Sequence, residues 1–311
     1  MENNKYLTII MFHYVRPIAK SIFPNIKGLE LENFKKQLDY LQENYSIVRS
    51  EDVIEAVVNN KKLPINPCWL TFDDGFKDHI NYVMPELLNR KLTGAFFPLK
   101  KSTIEPFILN VHALHYILSC NRNNKNLVSE LNSLSIEHGI TKSKLKLLYS
   151  RYAIKNRFDD ANTIYIKRML QQILPEKVRN NIITILFKKY VGIDRSDFAK
   201  KVYMNIDEIS KLIKNGMYVG NHSDTHAWLN NLSKLTQRKE ILSSMEFLES
   251  IGAPTSNWIM CYPYGAYNND TLSLVKELGA SIGITTEPRK ANLSIDNPFT
   301  LPRLDTNDFP K

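Results

Sequence analysis

Apolar and polar residues follow two different patterns along this chain, one typical of buried strands and one typical of amphipathic helices. The run Tyr6–Phe12 is short and almost continuously apolar, as in a buried strand. In residues 32–44, Phe34, Leu38 and Leu41 recur at helical spacing and predict an amphipathic helix. The same alternation predicts further strands at 45–48, 68–72 and 93–99 and helices at 50–58, with Ser50 as the N-cap, and 76–90. Strands that alternate with helices are typical of an α/β fold with parallel strands.

The strand pattern stops near residue 100 and returns after residue 202. Between these points only helical periodicity remains, at 111–118, 142–154, 164–173 and 178–190. Beyond them the pattern predicts helices at 206–214, 234–251 and 268–278, strands at 217–220, 257–261 and 281–285, and a last apolar piece at 298–304. The seven or eight strands favour a closed or nearly closed (β/α) barrel. We therefore predict a discontinuous barrel, residues 1–100 and 203–311, and an all-helical insertion, 101–202.

Charge separates the same two regions. The 311 residues include 41 Lys and Arg and 32 Asp and Glu, for a net charge of +9. Residues 101–204 hold 18 basic and 8 acidic residues, a net +10, so the remainder carries −1. The insertion therefore has the character of a separate module, which either is a solvated helical layer or binds an anionic partner.

Composition excludes several classes of protein. An apolar content of 43% argues against a disordered or fibrous chain. The three cysteines, Cys68, Cys120 and Cys261, form neither a CxxC pair nor a disulfide framework. The sequence shows no signal peptide and no apolar stretch of about 20 residues that could span a bilayer. We expect a cytoplasmic protein, with peripheral attachment to a membrane left open.

Two adjacent carboxylates stand where a predicted strand ends, in the motif Thr71-Phe-Asp73-Asp74-Gly75. The carboxyl ends of parallel strands carry the active site in α/β folds. Neighbouring side chains point in different directions, so Asp73 and Asp74 can do different work. The alternative is an Asp-Gly turn that begins a helix.

Two histidines four residues apart follow another strand, in the motif His222-Ser-Asp-Thr-His226. They can converge on one metal if the backbone turns helically between them. Together with Asp74 they form a zinc-type set of two imidazoles and one carboxylate. The alternative is a pair of structural histidines.

A Pro-Gly turn, Cys261-Tyr-Pro263-Tyr264-Gly265, follows a third strand. Such a turn can present a backbone N–H group to an oxyanion, although it can equally be a surface turn.

In this order, the three motifs resemble those of the NodB-homology polysaccharide deacetylases, a carbohydrate esterase family. The resemblance covers residues 6–100 and 203–305. It implies a distorted, incomplete (β/α) barrel that binds a divalent metal and removes N-acetyl groups from amino sugars. Zinc is the first expectation, with other transition metals open.

The resemblance also implies a role for each motif residue. Asp73 would be the general base, and Asp74, His222 and His226 would hold the metal. The backbone N–H of Tyr264 would stabilise the oxyanion, and Tyr262 and Pro263 would contact the substrate.

The chain departs from the family pattern in two places. The third motif of many members begins with an Arg, but here Cys261 or Tyr262 stands there. Many members also supply a general-acid His near the end, but no His follows His226. We expect Arg303 to replace the missing Arg beside Asp73. His13, after the first strand, is a candidate for the acid or for a substrate ligand, unless it is a structural strand-end residue.

The sequence thus predicts a metal-dependent N-deacetylase acting on amino-sugar residues of a bacterial surface glycan or its precursor. One alternative is a deformylase or another amide hydrolase acting on a lipid-linked or nucleotide sugar. An alternative of another class is a non-catalytic glycan-binding protein. The basic insertion would bind a phosphate-bearing substrate or an anionic membrane, and a nucleic-acid partner is not expected because the chain lacks a nucleic-acid motif.

Overall fold

The strands of the protein were located in a computed structural model that describes residues 5–121 and 124–310. Most of them are short, and only three are longer than four residues. In chain order they are β1 (Tyr6–Phe12), β2 (Val15–Arg16), β3 (Leu29–Glu30), β4 (Ser46–Ile47), β5 (Pro67–Asp73), β6 (Ala95–Phe97), β7 (Tyr218–Val219), β8 (Trp258–Cys261), β9 (Ala280–Ile284), β10 (Ala291–Asn292) and β11 (Leu304–Asp305).

The helices account for most of the regular structure. They are α1 (Leu31–Asn44), α2 (Ser50–Asn59), α3 (Met84–Asn89), α4 (Lys100–Ile104), α5 (Asn110–Cys120), α6 (Asn124–Glu137), α7 (Lys142–Tyr152), α8 (Ala161–Arg168), α9 (Glu176–Tyr190), α10 (Arg195–Val202), α11 (Ile206–Lys214), α12 (Lys234–Ser250) and α13 (Asn269–Glu277). Within the described ranges, none of them is long and apolar enough to cross a membrane.

The strands form a distorted, incomplete barrel. The main sheet has the order β10-β1-β5-β6-β7, and β11 and β4 add to β1 and β5. All of these neighbours are parallel except β10. Strands β8 and β9 form a separate parallel pair. Only single bridges, Asn221 to Met260 and Ile284 to Leu301, link this pair to its neighbours, so the ladder is interrupted and the sheet stays open. The fold class implied by the family resemblance, a distorted and incomplete barrel, is confirmed. The strand count favoured a closed or nearly closed barrel, and that expectation was wrong, because the described strands leave the sheet open.

The centre of the main sheet is buried on both faces. Every residue of β5 is buried, which explains why the sequence of this inner parallel strand is mostly apolar up to Phe72. Phe12, Phe72 and Phe96 stack across β1, β5 and β6 with ring centroids 5.0 and 4.8 Å apart. This packing holds the carboxyl ends of the three strands in a fixed relation, and the motif residues follow these ends.

The chain divides into two compact units. The first contains the described parts of Met1–Pro17, Gly28–Pro106 and Ala199–Lys311, and therefore every strand. The second contains Ile18–Lys27 and Phe107–Phe198 and is helical. The sequence pattern gave no reason to place Ile18–Lys27 in the helical unit. In that unit Asn25 donates to the carbonyl of Ser119, and Lys27 forms an ion pair with Asp159.

Several predicted elements differ from those observed. The expected helix at 76–90 begins with a π-helical turn, His79–Val83, before α3. Helices α4, α6 and α10 had not been predicted. Ser50 is not the N-cap of α2, because its hydroxyl accepts a hydrogen bond from Trp69 Nε1 at 3.0 Å and Arg49 precedes the helix. A buried indole N–H needs a partner, and this need outweighs the capping preference of serine.

Candidate active site

The three sequence motifs meet at the carboxyl ends of the strands. Asp73 is the last residue of β5, and Asp74 follows it in the left-handed region with φ 74°. This bend turns the two carboxylates apart. Gly75 continues the bend with φ 66°, and a Cβ atom there would lie 2.9 Å from Pro98. A glycine is therefore required after the two aspartates.

Asp74, His222 and His226 form one buried cluster. Asp74 Oδ1 lies 3.3 Å from His222 Nε2 and 3.2 Å from His226 Nε2. His222 Nδ1 donates to the carbonyl of Cys261 at 2.7 Å, which directs Nε2 toward the cluster. Burial alone would lower the pKa of His222, but the neighbouring Cys261 and Asp74 raise it well above its usual value.

This donor set fits a divalent metal. One ligand atom from each of the three side chains lies within 4.8 Å of the others. Two imidazoles and a carboxylate suit zinc. The hydrogen bond from His222 Nδ1 to a backbone carbonyl is the outer contact that ligating histidines commonly make. A second candidate set, Asp73, His222 and Cys261, shares His222 with the first, but its thiol is a hydrogen-bond partner of Arg303.

The backbone between the two histidines is not helical, contrary to the expectation from their spacing. Ser223 and His226 both adopt left-handed conformations, with φ of 64° and 60°. A non-glycine residue in this region costs roughly 1 kcal/mol or more, so the loop needs support from outside. The imidazoles converge because the loop folds back, with ring centroids 5.1 Å apart.

Glu240 on α12 supplies that support. Its Oε2 accepts hydrogen bonds from the backbone N–H groups of Asp224 and Thr225 at 3.2 and 2.9 Å, and its Oε1 accepts from the Thr225 hydroxyl at 2.7 Å. Sequence reasoning missed this residue, because no local pattern relates a helix residue to a loop 15 positions earlier.

We expect Glu240→Gln to weaken the binding of a divalent metal about 10- to 100-fold, as loss of an outer-shell partner commonly does. The amide oxygen could still accept from the two N–H groups, but the negative charge is lost, and an NH2 group would replace the oxygen that accepts from the Thr225 hydroxyl. Competition with a chromophoric chelator measures the dissociation constant, and Glu246→Gln, an exposed change on the same helix, is the control. Equal affinity in the two variants would show that Glu240 does not hold the loop.

Arg303 contacts Asp73 from a distant part of the chain. Its Nη1 and Nη2 donate to the two carboxylate oxygens of Asp73 at 2.9 and 2.7 Å. The other N–H groups donate to Thr71 Oγ1, the Thr285 carbonyl and Cys261 Sγ. All five donors of a guanidinium that is 1% exposed are thereby used.

The pairing of Asp73 with Arg303 sets the pKa of the Asp73 carboxyl group. Burial alone would raise the pKa of Asp73, but Arg303 outweighs it and holds the value at about 2. The carboxylate is therefore ionised at neutral pH. The sequence-predicted pairing of Arg303 and Asp73 is present, 230 residues apart in the chain.

His13 lies beside both aspartates. Its Nε2 is 3.9 Å from Asp73 Oδ2 and 3.9 Å from Asp74 Oδ2, and 40% of its side chain is exposed. The carbonyl of His13 accepts a hydrogen bond from His79 Nε2 at 2.9 Å. His79, which the sequence did not single out, is fully buried among Phe72, Phe76 and Phe96.

We expect His79 to make the protein acid-labile. Burial holds its pKa at about 4, below the usual value near 6.5. The unfolded chain therefore binds more protons below pH 6.5, so the free energy of unfolding should fall by about 2 kcal/mol between pH 7 and pH 5. Urea unfolding at both pH values measures the change. His79→Phe should reduce this pH dependence by that amount, and an unchanged dependence would contradict the assignment.

The third motif places Tyr264 beside the histidine cluster. Tyr264 sits in the turn Pro263–Gly265 with φ 58°, and its ring lies 4.5 Å from that of His226. It also stacks on Trp228 at 4.2 Å, a residue the sequence did not single out.

Tyr262 was expected to contact the substrate, but its side chain is 1% exposed. It packs in a hydrophobic cluster with Trp258 and Leu274, and its hydroxyl donates to the carbonyl of Phe299. Tyr262 follows the end of β8, and in this structure its ring belongs to the core. Its contact with the substrate stays a prediction. Pro263 is also buried, at the start of the turn, and its contact with the substrate likewise stays a prediction.

Comparisons with known proteins agree with this geometry. The family model for polysaccharide deacetylases matches residues 158–283, which include the second and third motifs. "Putative polysaccharide deacetylase YxkH" of Bacillus subtilis (strain 168) is 27% identical over 92 residues, 30% of this chain and 33% of that protein. The matched region thus spans about a third of the curated relative.

Solved structures show the same fold over almost the whole chain. The Streptococcus pyogenes deacetylase PplD, in complex with acetate, has a TM-score of 0.60 at 17% identity and covers 96% of this chain and 92% of its own. IcaB from Ammonifex degensii has a TM-score of 0.55 at 15% identity, covering 98% and 93%. The resemblance to NodB-type polysaccharide deacetylases is therefore confirmed.

Proposed function

On the premise of this fold, we propose that the chain is a metal-dependent N-deacetylase of amino-sugar residues in a bacterial surface glycan or its precursor. One observation carries the proposal. Arg303 fixes the orientation of the Asp73 carboxylate. This carboxylate lies next to the buried cluster of one carboxylate and two imidazoles that could hold a metal. This arrangement pairs a base with a metal site, and a protein that only bound glycans would have no use for the base.

Each residue has a distinct place in the reaction. Asp74, His222 and His226 would hold the metal, which when bound polarises an amide carbonyl and acidifies water. Asp73 accepts the proton of the attacking water. Asp73 is ionised throughout the neutral pH range, and the bidentate contact with Arg303 holds its carboxylate in one orientation. The backbone N–H of Tyr264 stabilises the oxyanion.

His13 is the proposed general acid. It lies on the same face as the two aspartates, and its partial exposure leaves it accessible to the leaving amine. His79 holds the backbone carbonyl of His13, and the His13 Nε2 atom lies 3.9 Å from both aspartates.

Product analysis tests the proposal. The purified protein, loaded with zinc, is incubated separately with N-acetylglucosamine oligomers and with N-formylated amino sugars, and released acetate and formate are quantified. The proposal expects acetate, with loss of activity on chelation and recovery on readdition of metal. Formate from N-formyl sugars alone would favour a deformylase. Binding without release, unchanged in Asp73→Asn, would favour a glycan-binding protein.

A further inference from the structure

The helical unit carries a surface that is both basic and apolar. It is formed by residues 142–158, comprising α7 and the loop after it, and we call it the basic apolar surface. This segment contains six Lys and Arg residues and no Asp or Glu. Three large apolar side chains protrude from it: Leu147 is 67% exposed, Ile154 65% and Phe158 50%.

The inner face of α7 fixes which side chains point outward. Leu145 is the buried residue of this helix, and the Tyr149 ring packs on that of Tyr165 at 4.9 Å. Leu147 follows Leu145 by two positions, about 200° around the helix, and so faces away from the core. Lys144 and Arg151, three and four positions from Leu147, flank it on the same outward face.

The loop after α7 extends this surface in a defined conformation. Asn156 Oδ1 accepts hydrogen bonds from the backbone N–H groups of Phe158 and Asp159, both at 2.8 Å. Lys155 and Arg157 stand between the exposed Ile154 and Phe158. The first acidic residues beyond the segment have partners within the unit: Asp159 pairs with Lys27 and Lys167, and Asp160 caps α8.

We propose that the basic apolar surface docks the protein on an anionic phospholipid bilayer. A soluble polyanion would be recognised by charge alone, and protruding Leu, Ile and Phe side chains would add nothing to its binding. At a bilayer, these side chains insert into the interface while Lys and Arg attract the headgroups. Helix α7, at 11 residues and about 16 Å, is too short to span the membrane and would lie on it.

Vesicle sedimentation tests the proposal. The protein is mixed with vesicles of phosphatidylcholine, or of three parts phosphatidylcholine to one part phosphatidylglycerol. We expect binding to the anionic vesicles only, weakening as ionic strength rises. Equal binding to both compositions, or none to either, would overturn the proposal.

Two sets of variants separate the contributions. Leu147→Ser with Ile154→Ser and Phe158→Ser should reduce partitioning about tenfold or more. Lys142→Gln with Lys144→Gln and Lys146→Gln should reduce it about 100-fold, near fivefold for each charge. Matched controls change exposed residues of the other unit. One control replaces Ile65, Leu235 and Ile295 with Ser, and the other replaces Lys61, Lys62 and Lys211 with Gln. Both should have little effect on partitioning to vesicles.

The variant with three apolar residues changed to Ser decides between a membrane and a polyanion. If this variant binds vesicles as the wild type does, and soluble polyphosphate competes with the vesicles for the basic apolar surface, the partner is a polyanion and the proposal is wrong. Circular dichroism and thermal melting confirm that each variant is folded. The binding assay needs no catalysis, so this proposal can fail while the proposed function stands.

Discussion

Replacing Arg303 with alanine is expected to lower kcat about 100- to 1,000-fold while the protein keeps its metal. Asp73 would lose both of its guanidinium contacts and would remain buried without them. Burial would then raise its pKa, and its side chain could rotate away from the proton it must accept. Because removing one partner of a buried ion pair also costs about 3–5 kcal/mol, Tm should fall as well.

Arg303→Lys separates the orientation of Asp73 from its charge environment. A lysine keeps the positive charge but cannot donate to both carboxylate oxygens and to Thr71, Thr285 and Cys261 together. We expect it to fold better than the alanine variant and still to lose much of kcat with little change in KM. Full activity in a folded Arg303→Ala protein would refute the role of Arg303 in positioning Asp73.

Changing the two adjacent aspartates to asparagine is expected to give opposite results for metal content. Asp73→Asn should lower kcat about 1,000-fold and leave the metal bound, because an amide cannot accept the proton. Asp74→Asn should weaken metal binding more than about 100-fold, because it removes a charged oxygen at 3.2–3.3 Å from both imidazoles.

Metal analysis and steady-state kinetics on the same preparations check this pair of predictions. Both substitutions preserve shape, so they are matched controls for each other. The assignment of Asp73 as the base and Asp74 as the metal ligand is wrong if Asp73→Asn loses its metal or if Asp74→Asn keeps it. Excess zinc should partly restore activity in Asp74→Asn and should not do so in Asp73→Asn.

The sequence predicts those parts of the site that depend on short-range patterns. Asp73 and Asp74 were recognisable because they end an apolar run, and His222 and His226 because of their spacing. Arg303 could be proposed because the usual Arg position holds Cys261, and in the structure its guanidinium contacts the Cys261 sulfur at 3.4 Å.

Long-range contacts account for what the sequence did not predict. Glu240, His79 and Trp228 act on motif residues from other elements, and no periodicity marks them. The loop between His222 and His226 was expected to turn helically, but Glu240 stabilises two left-handed residues there instead. The burial of the Tyr262 ring could not be predicted either, because its partners, Leu274 and the Phe299 carbonyl, lie far along the chain.

The reach of Arg303 across the chain has a consequence for how the protein is made. Ribosomes add about 5–20 residues per second, so the 230 residues between Asp73 and Arg303 take roughly 10–50 s to synthesise. During that interval the nascent barrel contains a strand whose terminal carboxylate has no counterion, and it cannot bury Asp73 without a large desolvation cost. The ion pair of Asp73 and Arg303 can form only after Arg303 has been synthesised, so we expect the closure of the fold around Asp73 to be a late step.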